Sequence, residues 1–366
     1  MGAAAGQARG ALLKPIQDTF SVSKSVLGLI APATMIGFIV SVLTIGMTTG
    51  RINIRKFLLI GAGLSFIFLI LLGSSPFFFL LLGFFFVSGI SGGLTTALGP
   101  PILSHMYSKR RGWIFNRYEM IWAAGAASGP LFVNLILVIF GSWRLAYFLL
   151  SLGFVPIFIL IWKIRLPYCI KREKALSLKD LKSLGKHPAV FGMALGIAVN
   201  AGIEGGLFTW LAYYMTQFFP ESIANLIFSG YLMAYIPGRF IYGRLSEKTG
   251  YTNLIFFNSV IIVFLLFLAF AVTSGFLMVA CILAIGFLIS GNFPTLLAMG
   301  TNARPEHSGP INGIARSSSA LGIALFSALI GIIADLSSLR SGMQLLIFLM
   351  IAVCVIIFAI NRKTQN

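Results

Sequence analysis

The stretch KIRLPYCIKREKALSLKDLKSLGK, residues 163–186, is polar and strongly basic, and everything around it is not. On both sides the chain breaks into long apolar runs at 25–48, 57–74, 76–103, 118–140, 143–162, 190–215, 222–243, 253–274, 275–299, 313–334 and 341–361. Short turn clusters join them, such as Gly73-Ser74-Ser75-Pro76 and Thr273-Ser274-Gly275. A run of about 20 apolar residues crosses a bilayer as a helix. Strands are excluded, because these runs are too long and continuous for barrel strands and an open sheet edge in lipid leaves backbone groups unsatisfied. The reading is an all-α polytopic membrane protein, divided by residues 163–189 into halves 1–162 and 190–366.

Composition agrees. Of 366 residues, 58% are hydrophobic and 10% charged, and the mean hydropathy is +0.96. A soluble domain cannot enclose that much apolar surface, and the length excludes a single-span receptor or a peripheral protein. A net charge of +18 would suggest nucleic acid in a soluble protein, but its distribution points elsewhere. Twenty of the 27 Lys and Arg fall on the side of the 163–189 segment, and only Lys24, Arg144 and Arg340 fall opposite. Cytoplasmic loops carry such an excess, so the segment and the C-terminus are expected in the cytoplasm, in a cell (plasma) membrane, with no nucleic-acid partner. Leu176, Leu178, Leu181 and Leu184 place three leucines on one face of a short amphipathic helix over 171–186, suited to the inner leaflet. Cys169, Cys281 and Cys354 lack disulfide or metal-ligand spacing, so no metal site and no cofactor is expected. The Met1–Lys14 stretch has no uninterrupted apolar core, so no cleavable leader is expected.

The two halves repeat. An offset of 197 residues lays five apolar runs of the first half on five of the second without gaps, and pairs Gly46 with Gly243, Gly89 with Gly286, Gly125 with Gly322 and Arg51 with Lys248. Carried to the start, it gives the run 190–215 a counterpart beginning before Met1, so helix 1 is expected to be truncated at its N-terminus. The expected fold is two pseudo-symmetric six-helix bundles.

Between the apolar runs at 222–243 and 253–274 lies Gly243-Arg244-Leu245-Ser246-Glu247-Lys248-Thr249-Gly250. It resembles the signature between helices 8 and 9 of the major facilitator superfamily, Gly-x-Leu-Ala/Ser-Asp/Glu-Arg/Lys-x-Gly, and matches every defined position. The first-half copy around Gly46–Lys56 keeps a glycine and the basic residues, Arg51 among them, but has Gly50 where that family usually carries an acid. Gly125-Ala126-Ala127-Ser128-Gly129-Pro130 is similar to the Gly-x-x-x-Gly-Pro motif of helix 5, and Trp143-Arg144 opens helix 6. Val133 and Asn134 stand where that motif usually continues with glycines, and Phe85 stands at the helix 4 arginine of many proton-coupled members, so no antiporter is inferred. The resemblance implies the major facilitator fold, with helices 1, 4, 7 and 10 lining a central cavity and helices 2, 5, 8 and 11 forming the interface. It also implies that Gly243, Glu247, Lys248 and Gly250 form a latch on the neighbouring bundle, where the acid meets the positive end of helix 5 near Arg117.

Within this frame Glu204 stands out, since an ionisable group near the middle of run 190–215 is costly unless it faces protein or water. It is expected to accept a hydrogen bond from substrate or to carry a proton. Gly202, Gly205 and Gly206 around it are expected to expose backbone to a ligand. Asn200 lies one turn from Glu204, and Gln7 is the symmetry counterpart of Glu204, with Arg9 half a turn further on, either neutralising Glu204 or holding an anionic substrate. Trp210 is a candidate for stacking on substrate, Tyr213 and Tyr214 for an interfacial belt, and Asn292 for a polar contact beside Pro294, which marks a kink. Glu119 and Arg316 occupy equivalent positions in helices 5 and 11, which suggests gating pairs between bundles, with Arg239 the natural partner for Glu119.

The expected function is secondary transport of a small polar solute by alternating access, driven by a proton or solute gradient, in a monomer whose partners are its substrate and the bilayer. Export of drugs or metabolites is the alternative. Helix 7 is similar to that of fucose-type sugar permeases. No Gly-x-x-x-x-Gly-Lys-Ser/Thr loop supplies an ATPase. His105, His187 and His307 fall at loops or helix ends outside any catalytic motif, so an enzyme is not expected, and the short stretch after Ile360 gives no output domain for a sensor.

Overall fold

The computed structural model describes residues 1–48, 53–107, 111–164, 184, 187–304 and 307–365. Apart from Leu184, the amphipathic helix expected over 171–186 lies outside the described residues, as do Arg51 and the side chains of Gly243, Glu247, Lys248 and His105.

Among the described residues, twelve helical stretches follow one another. Helix 1 is Gly2–Phe20; helix 2 runs through Lys24–Leu27 and Ile30–Thr48; helix 3 is Ile54–Gly73; helix 4 is Phe78–Met106; helix 5 is Arg111–Phe140; helix 6 runs through Trp143–Leu152 and Phe154–Lys163. In the second half, helix 7 is Pro188–Met215 and helix 8 joins Glu221–Met233 to Tyr235–Thr249. Helix 9 is Tyr251–Phe267 with a π turn at Leu268–Val272, helix 10 joins Gly275–Ile289 to Asn292–Ala303, helix 11 is Ser308–Leu336 and helix 12 is Leu339–Gln365. Among the described residues, ten stretches are long and apolar enough to cross a membrane. Helices 1 and 8 fall outside that group because polar residues dilute them, Gln7, Arg9, Lys14 and Asp18 in helix 1 and Glu221, Asn225, Arg239 and Arg244 in helix 8.

The breaks have one cause. Pro32, Pro156, Pro237 and Pro294 each sit three or four residues beyond an interruption, at Gly28, Gly153, Ala234 and Ser290 respectively. A proline ring clashes with the carbonyl four residues earlier and withdraws its amide from the ladder. The kink expected at Pro294 is therefore a full break of helix 10.

The two halves match in detail. A Cβ added to Gly89 of helix 4 would lie 1.9 Å from the Thr34 carbonyl oxygen of helix 2, and one added to Gly286 of helix 10 would lie 2.5 Å from the Tyr231 carbonyl oxygen of helix 8. Both residues of that contact are related by the 197-residue offset. The neighbouring contact is preserved with its members exchanged: Gly93 faces Ser41, and Gly238 faces Ser290. On the face opposite the linker, Arg144 donates to the carbonyls of Gly73 and Ser75 at 3.0 and 2.7 Å, closing helix 3. Arg340 does the same for helix 9 through Phe270 and Ala271 at 2.9 and 2.6 Å. These two arginines, counted above as exceptions to the charge bias, neutralise carbonyls at helix C-termini, where cations are favoured.

Helix 7 is the most enclosed membrane-length helix: 78% of its apolar window is buried, against 28–50% in the other nine. It packs on helices 11 and 12 within its own bundle and on helix 1 across the divide. Helix 2 meets helix 11, and helix 5 meets helix 8. The bundles are tied at the face opposite the linker, where Tyr213 of helix 7 donates to Gln17 of helix 1. In the same layer, the Asp335 carboxylate at the end of helix 11 accepts the amides of Lys24 and Ser25 at 2.9 and 2.7 Å. Those amides open helix 2 and have no partner within it.

Candidate functional site between the bundles

Because helix 7 is enclosed by its neighbours, a polar side chain halfway along it must face protein or an internal cavity. Glu204 retains partial exposure although protein surrounds it. Its Oε1 accepts a hydrogen bond from the Tyr235 hydroxyl at 3.2 Å, and that hydroxyl lies 2.9 Å from the hydroxyl of Tyr231. Tyr231, Tyr235 and Arg239 follow at four-residue spacing along helix 8, so they line one face despite the break at Ala234. The Arg239 guanidinium lies 5.4 Å from the Tyr235 ring centroid and 5.1 Å from that of Trp122 on helix 5, within cation–π range. Its Nη1 pairs with Glu119 Oε2 at 2.9 Å and donates to the Glu119 carbonyl oxygen at the same distance. Phe208, one turn beyond Glu204, packs against Tyr231, Tyr235 and Trp122.

Two carboxylates and one guanidinium thus share a mostly aromatic enclosure spanning both bundles. With all three ionised the cluster carries one excess negative charge. One proton, or one cationic group, balances it.

One turn along helix 7 from Glu204, Asn200 begins a second polar line. Its Oδ1 accepts from Asn292 Nδ2 at 2.9 Å, Asn292 Oδ1 accepts from Asn258 Nδ2 at 2.6 Å, and Asn258 Oδ1 accepts from the Tyr242 hydroxyl at 2.6 Å. Asn258 Nδ2 also reaches the Leu288 carbonyl at 2.9 Å. Helices 7, 8, 9 and 10 are joined by this chain, and it ends at a buried Asn200 Nδ2 without an acceptor.

The structure therefore brings together Glu204, Asn200, Asn292, Arg239 and Glu119. It adds Tyr231, Tyr235, Trp122, Tyr242 and Asn258, which sequence reasoning missed. Asn258 had a signal, an amide inside an apolar run; the tyrosines had only their spacing.

Other expectations are corrected. Gly202, Gly205 and Gly206 do not expose backbone to a ligand: a Cβ at each would meet Phe326, Ile323 or Ile330 at 2.2–2.9 Å, so they let helices 11 and 12 approach. Trp210 is 0% exposed and donates Nε1 to the Ser327 carbonyl at 2.8 Å, so it is committed to packing on helix 11. Tyr213 and Tyr214 form no belt, being buried. Arg9 makes no ion pair with Glu204; it is buried on helix 1, within electrostatic reach of Tyr147. Gln7 is buried with Oε1 unpartnered. Arg316 makes no salt bridge among the described residues and lies within electrostatic reach of Tyr118. Gly250 ends helix 8 at φ 78°, ψ 143°, a conformation essentially confined to glycine, which accounts for that position of the 243–250 motif.

Two repeated six-helix halves around a partly exposed ionic cluster, tied together on one face, define a polytopic membrane carrier. The chain belongs to the Major Facilitator Superfamily, whose family profile matches residues 3–219 and again 193–366. It is 23% identical over 254 residues to the glucose/mannose transporter GlcP of Bacillus subtilis (strain 168), covering 66% of this chain and 62% of that relative's length. It is 21% identical over 286 residues to a TsgA homolog of Yersinia pestis, covering 77% of this chain and 72% of the relative. Among solved structures, it resembles a bacterial homolog of the human lysosomal transporter Spinster in an inward-facing, unoccupied conformation. That likeness has a TM-score of 0.84 at 16% identity, covering 99% of this chain and 94% of the other. A mutant form of the nucleoside transporter NupG superposes with a TM-score of 0.79 at 11% identity, covering 98% of this chain and 96% of the other.

Proposed function

We propose that this protein is a secondary transporter of a small polar solute in the cell membrane, with Glu204 as its coupling carboxylate. The carrying observation is the arrangement Glu204–Tyr235–Arg239–Glu119, in which two acids of opposite bundles stand around one arginine. Protonation of Glu204 removes the excess negative charge of the cluster and leaves Arg239 wholly to Glu119. That state holds helices 5 and 8 together. Deprotonation makes Glu204 a competitor for the same guanidinium and loosens the contact between bundles. A ligand or proton drives a conformational change only through such a difference in interaction between the two states. The buried Asn200 amide without an acceptor, one turn away, offers the solute a hydrogen-bond donor.

The charge bias supports a cytoplasmic linker and C-terminus, which makes the closed face the external one. The transporter names of GlcP and NupG support the class of activity. The test is flux in proteoliposomes, with solutes first chosen by thermal stabilisation of the purified chain. An imposed pH gradient should drive solute above its equilibrium level, and a protonophore should collapse the gain. Uptake that only equilibrates, with or without the gradient, contradicts proton coupling.

A further inference from the structure

Arg9 is a cation left over when the described carboxylates are assigned. Asp18 pairs with Lys14, Glu119 with Arg239, Glu204 with the Tyr235 hydroxyl and Asp335 with the helix 2 amides. Glu221 lies at the start of helix 8, at the opposite face, within electrostatic reach of Lys14 and Asp18. Arg9 is only 6% exposed, and its Nε is enclosed without an acceptor. Tyr147 of helix 6, 1% exposed and within electrostatic reach of Arg9, has a hydroxyl that is also without a partner. A guanidinium has five donors in a planar fork matched to carboxylate and phosphate, and a buried charge without a partner is strongly unfavourable. Tyr147 is held rigidly by edge-on contacts with Phe85 and Trp143, so its hydroxyl is fixed in place.

We infer that Arg9 and Tyr147 form an oxyanion subsite in the N-terminal bundle, so that the transported solute carries a carboxylate or phosphate group. This rests on the transporter reading above and narrows its substrate class. The anion supplies the acceptors that Arg9 Nε and the Tyr147 hydroxyl lack, on the bundle opposite Glu204. One solute then engages both halves, its charge on helix 1 and its remaining polar groups toward helix 7.

The test compares the thermal midpoint of the purified 366-residue chain in sodium acetate, inorganic phosphate, sodium chloride and the uncharged isostere acetamide, at matched ionic strength. Acetate or phosphate is expected to raise the wild-type midpoint saturably, and acetamide and chloride are not. Acetate acting alone assigns a carboxylate, and phosphate alone a phosphate. The readout is the ligand-induced shift, so a changed baseline in a variant does not confuse it. Arg9→Gln should abolish the shift and Tyr147→Phe should weaken the apparent affinity about tenfold. An oxyanion shift equal in wild type and Arg9→Gln, an acetamide shift equal to that of acetate, or no oxyanion shift at all overturns the subsite. Failure of the wild type to show proton-driven flux, with the oxyanion shift intact, would instead count against the coupling role of Glu204 and leave the subsite standing.

Discussion

Asp335 was invisible in the sequence as anything but a helix-end acid, yet it joins the two bundles at the closed face. Its Oδ1 and Oδ2 accept the Lys24 and Ser25 amides at 2.9 and 2.7 Å, the first donors of helix 2, and thereby cap that helix from the other half of the molecule. Loss of a helix cap costs about 0.5–2 kcal/mol. Because this carboxylate is exposed, solvent screening argues for the lower part of that range, about 1 kcal/mol. Both bonds must break when the bundles separate on this face, so they stabilise only the closed arrangement. Asp335→Ala should therefore shift the balance between the two facing states about fivefold toward opening on this face. Spin labels at Leu29 and Leu336, in a background without the native cysteines, would report the separation of helices 2 and 11. The variant should show a larger fraction of long distances than the labelled parent. An unchanged distribution would mean that the caps contribute nothing to the equilibrium and would refute the reasoning.

Two further predictions concern packing. Asn258→Leu would leave the Tyr242 hydroxyl and Asn292 Oδ1 buried without partners; a double-mutant cycle on Asn258 and Asn292 should give a coupling of about 0.6–1.7 kcal/mol, the range found for hydrogen bonds between membrane helices, and zero coupling in thermal or denaturant unfolding would contradict the chain of amides. At Gly322 an added Cβ would lie 1.8 Å from the Ala198 carbonyl oxygen, so Gly322→Ala should force helices 7 and 11 apart at a cost of about 1–3 kcal/mol, read as a clear fall in thermal midpoint; a midpoint equal to wild type would show that the helices yield freely there.

Much of the fold was legible because lipid imposes a simple rule: apolar runs of membrane length must be helices, and their repetition at one offset reveals the duplication. The glycine contacts at Gly89 and Gly286 show why that offset is physical, since both bring helix backbones together at the same place in each bundle. Glu204 and the pairing of Arg239 with Glu119 were also legible, because ionisable groups deep in apolar helices have few places to go. The tyrosines were not. Tyr231 and Tyr235 are amphipathic residues that suit an interface, a core or a site equally, and only the path of helix 8 past helix 7 turns their hydroxyls toward Glu204. The glycines around Glu204 misled for the opposite reason: their spacing reports a neighbour's close approach, and nothing in it says whether that neighbour is a ligand or Phe326.

The central claim is that Glu204 carries the coupling proton while the rest of the site carries the solute. Glu204→Gln keeps the shape and the hydrogen-bond acceptor for Tyr235 but removes the charge that competes for Arg239. In proteoliposomes this variant should lose accumulation driven by a pH gradient and retain counterflow exchange of solute at near wild-type rates. Accumulation equal to wild type, or loss of counterflow together with accumulation, would contradict the assignment.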